Sequence, residues 1–474
     1  MLAHEQILRL LLLGSALLSF AACSTADRSI QLSIESAAPF SAGGSGPVLN
    51  DQWWVAFEDQ GLTAAIGRAL EQNFSLTAAY ERMRAAQMLA LRQSANLLPQ
   101  LDLLGVAERS EVWRSGDWNS DSSVSVGLAA SYELDFWGRL NAQTDAANLR
   151  AEASEAFLQS AAISISAEVA LAWYRLAAAQ EQKLVLLEQV ETNRTVLEIL
   201  DERFKSGQIR AADVLRQRQL IEATLEDVND SNAQIAVIEH LLAILQGDTP
   251  QGGEGYPDAA LVKLPPAPLV GLPSELLQRR PDVREALLNI QASNADLAAA
   301  VSDRYPRVNL SASVVTSDGE FSLFDDWLAS IAGQIAAPVI DGGARRAEVL
   351  RNEALLNQQV ADYGQTVLQA FREVEDALAL EYHQCIKIAQ LETQLELADE
   401  TYRQLRTQYL NGVADYIEVL DTLTAQQFLA RSLVTARLDL IEFRIALHRA
   451  LAGGFYPTAE VGATQSKVEI NNDV

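Results

Sequence analysis

The sequence predicts a mainly helical chain that states one plan twice, each statement carrying two β-strands. Three observations lead there. Proline occupies only 13 of 474 positions, and none lies between Pro99 and Pro250 or between Pro338 and Pro457; spans that free of proline, rich in Ala, Leu, Gln, Glu and Arg, favour long helices. The punctuating residues recur at a nearly constant offset. Leu98-Pro99-Gln100-Leu101 matches Tyr305-Pro306-Arg307-Val308 at 207, and Gly138 matches Gly343 at 205. Phe204-Lys205-Ser206-Gly207 matches Tyr409-Leu410-Asn411-Gly412 at 205, and Leu245-Gln246-Gly247 matches Leu451-Ala452-Gly453 at 206. Chance likeness between Ala/Leu-rich helices would not keep register across Gly and Pro, so the chain is read as a duplication. Finally, Val124 to Leu134 and Val308 to Val314 alternate apolar with small or polar residues, the period of a strand.

Composition excludes several classes of function. With 36 Lys+Arg against 63 Asp+Glu the net charge is −27, which leaves no positive field for nucleic acid. Two cysteines and four histidines supply neither a Cys/His zinc cluster nor a disulfide framework. No phosphate-binding Gly loop is present, and His383 and Cys385, two apart on a helix, point away from each other. No metal, cofactor or enzymatic activity is expected.

Residues 1–22 read as a signal segment. Ile7 to Ala22 is apolar apart from Arg9, and Phe20-Ala21-Ala22-Cys23 places small residues just before a cysteine, the pattern of a lipobox. The alternative is an ordinary secretory signal with an incidental cysteine. Cys23 is the expected lipid attachment residue, followed by an extended segment to residue 50. If Cys23 carries lipid, Cys385 is left alone and no disulfide forms within the chain. No later segment is expected to cross a membrane as a helix.

The first repeat runs over 51–247. It holds a helix at about Leu62 to Leu97, strands at about 99–113 and 122–137 with a turn near Ser115–Ser122, and a helical hairpin over 139–247. A connector at 248–272, rich in Pro and Gly, leads to the second repeat at 273–454. That repeat holds a helix at about Ser274 to Arg304, strands at about 306–317 and 327–340 with a turn near Ser317–Asp325, and a helical hairpin over 344–452. A polar tail, 455–474, closes the chain. Gly138 to Gly207 and Gly343 to Gly412 each span 69 residues, enough for a helix of about 100 Å. Gly207 and Gly412 suit tight reversals into return helices, each of which, stacked end to end with a pre-strand helix, would match one long helix. Leu186, Val190, Asn193, Leu197, Leu200 and Phe204 step by four and three, as do Leu433, Ala436, Leu440, Phe443, Leu447 and Ala450. Such seams bury a stripe between helices and would equally suit an ordinary coiled coil.

A half-buried soluble sheet would show the same strand alternation. The signal segment favours a membrane setting, where no sheet edge can stay open. Four strands are too few for a bacterial membrane barrel, whose minimum is about eight. Three chains would supply twelve, although spacing alone also permits higher multiples.

Several stretches carry a resemblance to a known family. They are Gln52-Trp53-Trp54-Val55-Ala56-Phe57, Tyr132-Glu133-Leu134-Asp135-Phe136-Trp137-Gly138-Arg139, and Gly271-Leu272-Pro273-Ser274-Glu275-Leu276-Leu277-Gln278-Arg279-Arg280-Pro281-Asp282-Val283. Pro338-Val339-Ile340-Asp341-Gly342-Gly343 and Ala450-Leu451-Ala452-Gly453-Gly454 complete the set. Together they resemble the outer membrane factor family, the TolC-like efflux ducts, in the lipoprotein branch of NodT and OprM type. Gly343-Ala344-Arg345 departs from the usual Gly-Gly-Arg.

The resemblance implies a homotrimer whose 12-stranded β-barrel sits in the outer membrane lipids above a periplasmic α-helical tunnel. It implies a passive duct serving an inner-membrane pump of RND type through a periplasmic adaptor. It also implies a periplasmic gate at Ile417, Glu418 and Asp421, just past Gly412, where one helix face per chain would put six carboxylates around the axis. The alternative for the acids is simple pairing with a helix dipole. Arg210 and Arg216, near Asp213 on the first-half tip, are candidates to bond acidic neighbours. Gly207 and Gly412 are the turns an adaptor would meet, or turn residues and nothing more. A type I protein-secretion duct and a periplasmic scaffold without a pore are the alternative functions. Mass spectrometry of the mature protein should find Cys23 as a lipid-bearing N-terminus. An unmodified Cys23, or cleavage elsewhere, would remove the anchor.

Overall fold

The computed structural model describes Phe40 and Ser41, 52–114, 116–251, Tyr256, 261–271, 273–318 and 326–451. Cys23, the signal segment and the 455–474 tail lie outside the described residues. A short 3-10 turn at Trp53–Phe57 leads into α1 (Gln60–Gln72) and α2 (Phe74–Ser94), and then β1 (Gln100–Arg114) and β2 (Asp117–Leu134). The first helical hairpin is α3 (Arg139–Lys205) and α4 (Ala211–Leu245). The second half repeats the order with α5 (Pro273–Arg279), α6 (Pro281–Ser302), β3 (Arg307–Asp318), β4 (Trp327–Ala336), α7 (Ala344–Leu410) and α8 (Tyr416–Leu451). Both long helices have 67 residues, and their returns have 35 and 36.

The chain divides into a strand-bearing unit, containing Met88–Arg150 and Asn289–Gly364, and a helical unit, containing Ala151–Leu288 and the chain from Gln365 onward. In the strand unit β1-β2-β3-β4 form one antiparallel sheet. Val124, Val126, Leu128, Ala130, Tyr132 and Leu134 share one face of β2. Register places Ala107, Gly105, Leu103 and Leu101 beside the first four. Thr316, Val314, Ala312, Leu310 and Val308 continue that face on β3, and Trp327, Ala329, Ile331, Gly333 and Ile335 on β4. It is a mainly apolar face, much of it exposed among the described residues: Leu103 is 76% exposed and Ile331 89%, while Thr316 is buried. The opposite face carries Asp102, Glu108, Ser123, Ser125, Glu133, Asn309, Ser311 and Gln334, with Ser313 and Ser330 hydrogen-bonded across the strands at 2.8 Å.

Two boundaries differ from the sequence reading. β2 begins at Asp117, so most of the stretch expected to turn is strand, and the reversal is confined to the two residues between Arg114 and Asp117, with Gly116 at φ 92°. Apart from Trp118, residues 117–123 are polar, so no alternation marks them. The cross-strand rings of Trp113 and Trp118, 5.3 Å apart, hold the end of the hairpin instead. β4 ends at Ala336, before Pro338, which has no N–H for a ladder.

The expected continuous pre-strand helices are broken, at Asn73 and at Arg280. Asn73 Oδ1 accepts from the Ser75 and Leu76 amides and so starts α2, while its Nδ2 donates to the Leu245 carbonyl at the end of α4. Gly247, at φ 83°, lets the chain pass the Gln72 carbonyl, which an added Cβ would meet at 2.4 Å. The corresponding break in the second half holds Arg280, whose Nη1 donates to the Ala450 carbonyl at the end of α8 and meets Glu373 at 2.9 Å. Its Nη2 meets Asp282 at 2.6 Å. The return helices therefore abut α2 and α6 rather than whole pre-strand helices.

The expectation that no later helix is apolar enough to span a membrane fails for α3, which has one 18-residue stretch that passes by length and composition. Most of that stretch is buried. Ala162, Ala167, Ala170, Tyr174 and Leu176 are buried with Trp53, Phe57, Leu62, Ile66, Leu242 and Ile445. The same core encloses His448, 3% exposed, stacked on Trp53 at 5.5 Å and close to Phe57. Burial, reinforced by Arg444, drops its pKa from 6.5 to about 3. The unfolded chain takes up this proton near pH 6.5 and the folded chain only near 3, so stability falls as pH falls between them. The slope from this group is at most about 1.4 kcal/mol per pH unit. His448→Leu should flatten the acid limb of an unfolding titration in that window; an unchanged slope would show that the imidazole is not held neutral.

Candidate functional site

The two helical turns that join α3 to α4 and α7 to α8 hold the residues singled out from sequence. Both are built alike. The Gly207 amide donates to the Phe204 carbonyl and the Gln208 amide to Arg203, and Gly412 and Val413 repeat this with Tyr409 and Gln408. Gly207 and Gly412 have φ of 70° and 75°, the left-handed cap that glycine adopts without strain.

Around these turns, Leu200, Val214, Tyr409, Tyr416 and Val419 form a small core. Arg203 donates from Nη1 to the Tyr409 carbonyl at 3.0 Å and from Nη2 to Leu410 at 2.7 Å, with its guanidinium 4.6 Å from the Tyr409 ring centroid. A cation on the last carbonyls of α7 offsets the negative end of that helix. Tyr416 donates its hydroxyl to Gln217 Oε1, and burial pushes its pKa up, so it stays a neutral donor.

A row of buried amides continues from there. Gln217 Nε2 reaches the Asn193 carbonyl at 2.7 Å, Gln427 Nε2 reaches Asn193 Oδ1 at 2.9 Å, and Gln189 Nε2 reaches the Gln427 carbonyl at 3.0 Å. Asn193 was visible in sequence as the polar member of an apolar seam. Its partners were not, because they come from two other helices. Arg203 was missed as well; a basic residue in the last turn of a helix was its only signal.

The acids of the two tips lie in different settings. Asp213 is 6% exposed and sits between Arg210 at 3.7 Å and Arg216 at 3.6 Å. Its second-half counterparts remain open. Ile417, Glu418 and Asp421 are all exposed on the first two turns of α8, and neither acid makes an ion pair among the described residues. At the offset of 205, Glu418 corresponds to Asp213 and Asp421 to Arg216. The first tip is thus neutralised internally and the second keeps two unpaired carboxylates per chain. His383 and Cys385 lie within α7, away from both turns, and no group of metal-ligating side chains occurs among the described residues.

A sheet with a largely exposed apolar face, in a chain that also builds two long helical hairpins, is the make-up of a membrane channel subunit. The comparisons with known proteins place it further. The chain belongs to the outer membrane efflux protein family, whose model matches it twice, over residues 65–247 and 272–453. It is 31% identical over 422 residues to the toluene efflux pump outer membrane protein TtgI of Pseudomonas putida, covering 84% of this chain and 86% of that one. It is 26% identical over 441 residues to nodulation protein T of Rhizobium leguminosarum bv. trifolii, covering 90% and 93%. The solved outer-membrane channel OprN superposes with a TM-score of 0.85 at 27% identity, over 90% of this chain and 98% of that one. The protein is an outer membrane efflux channel and not an enzyme.

The Arg203 grip makes a local prediction. Arg203→Ala removes two charge-assisted bonds, each worth about 1.5–3 kcal/mol, from the end of α7. Amide exchange over 407–413 should accelerate while exchange in the Trp53 core stays unchanged; equal protection in both proteins would show that the grip does not hold the turn.

Proposed function

We propose that three copies close a 12-stranded barrel in the outer membrane, and that their helical hairpins form a periplasmic duct. Small toxic organic compounds would pass through it from an inner-membrane pump of RND type, delivered by a periplasmic adaptor. The observation that carries this reading is the sheet. Its apolar face, Val124 to Leu134 on β2, is eleven residues long, about 36 Å of strand, which tilted by about 45° spans a hydrocarbon band of ~25 Å. Among the described residues β1 and β4 each pair on one side only, and an edge left open at that depth is too costly to persist. Neighbouring copies are the simplest partners. The toluene efflux role of TtgI supports small organic cargo.

Within that duct Ile417, Glu418 and Asp421 form the periplasmic gate. Gly207 and Gly412 present the turns to the adaptor, and Cys23 carries the lipid anchor. The two unpaired carboxylates per chain on α8, against a first tip neutralised by its own arginines, support an acidic ring of six.

Purified protein should run as a trimer in native mass spectrometry and give discrete channels in planar bilayers. Leu128→Arg or Leu310→Arg should impair assembly, since Arg near mid-depth costs about 2–4 kcal/mol. Asp421→Asn should lower cation preference in trimers that still assemble. A folded, membrane-inserted monomer would refute closure by three chains, and unchanged selectivity would remove Asp421 from the gate.

A further inference from the structure

We infer that Phe428 forms a second, apolar collar in the duct, above the acidic ring, and that this collar sets the leak of hydrated ions. The inference rests on the gate reading given above and extends it along α8. Over the 36 residues of that helix only two large apolar side chains are exposed, Ile417 at 41% and Phe428 at 62%. They are eleven residues apart, which at 3.6 residues per turn returns them to within ~20° of one direction. Asp421 lies between them, seven residues before Phe428 and again within ~20° of it. A supercoil that follows a heptad seam reduces even that offset. Whatever space Asp421 faces, Phe428 therefore faces too, about 10 Å further along the helix.

The rest of this face is small or polar. Ala425 and Thr435 are exposed and Ser432 is half-buried. In the first half, the positions 205 residues earlier than Ile417 and Phe428 are Ala212 and Ala223. At these two positions bulk is therefore supplied only by the second hairpin, although the first exposes Leu215 three residues past Ala212. Three phenyl rings at one level make an apolar constriction, which excludes water and ions while narrow and admits apolar solutes when dilated. The acidic ring would then fix cation preference and the phenyl collar the ion leak.

Trimers in planar bilayers test this with single cysteines in a Cys385→Ser background. Phe428→Cys and Asp421→Cys should both react with a charged methanethiosulfonate reagent and lose most of their single-channel current. Phe428→Ala should raise conductance several-fold with cation preference unchanged, and Phe428→Leu should restore most of the wild-type value. If Asp421→Cys responds and Phe428→Cys does not, Phe428 lies in a contact between chains and the collar is overturned while the gate stands. If neither responds in assembled trimers, the gate reading falls and the collar with it.

Discussion

Backbone amides and carbonyls at hydrocarbon depth need protein partners, and in this chain a four-stranded sheet with two edges must satisfy that demand. Much of the architecture follows. The sheet is a plain antiparallel meander, so the start of β1, the end of β2, the start of β3 and the end of β4 fall at one end. All four connections to helices therefore leave from that end. At the other end lie the end of β1, the start of β2, the end of β3 and the start of β4. The strands are fenced by aromatics as well. Trp113, Trp118 and Trp327 stand toward the hairpin end, and Trp137 stacks on Tyr305 at 4.9 Å where the helices begin, positions that suit rings at a membrane interface.

At the helix-bearing end the two halves of the sequence are tied together. Arg139, at the start of α3, meets Glu133 at 2.7 Å and reaches across to Asp303 of the second half at 4.0 Å, while Arg345, at the start of α7, meets the same Asp303 at 3.2 Å. Arg307 binds the same Asp303 from the start of β3. Ala344 in place of a glycine leaves this arrangement intact, because Gly342 and Gly343 already supply the left-handed turn, at φ 65° and 89°. The Asp341 carboxylate accepts from the Gly343 amide at 2.9 Å, which holds its pKa below the usual range.

Duplication set the plan, and divergence gave the halves different chemistry at equivalent places. The joint between return helix and pre-strand helix is a neutral Asn73 in the first half and a buried, doubly paired Arg280 in the second. Burial disfavours a charge, yet Asp282 and Glu373 keep the Arg280 pKa above its ordinary value. At the tips the difference runs the other way. The buried acid, Asp213, belongs to the first half and is compensated, whereas the second half leaves its acids in the open.

Periodicity and punctuation by themselves determined the repeats, the four strands, the two helical hairpins and the glycine reversals, because those features depend on residues close together in the chain. A single Gly or Pro fixes a local backbone, and an alternation of period two fixes a face. The sequence also marked Ile417, Glu418 and Asp421, whose spacing lies within two helical turns. What it left undecided depends on partners far along the chain. The start of β2, polar over 117–123 apart from Trp118, is defined by its ladder with β1. Asn73 and Arg280 break helices at points decided by the carbonyls of Leu245 and Ala450, about 170 residues away. The apolar run of α3 reads as a membrane span until Trp53, Leu62 and Ile445 are packed against it. Only tertiary packing could separate Asp213 from Glu418, for the two occupy the same place in the repeat and differ in what surrounds them.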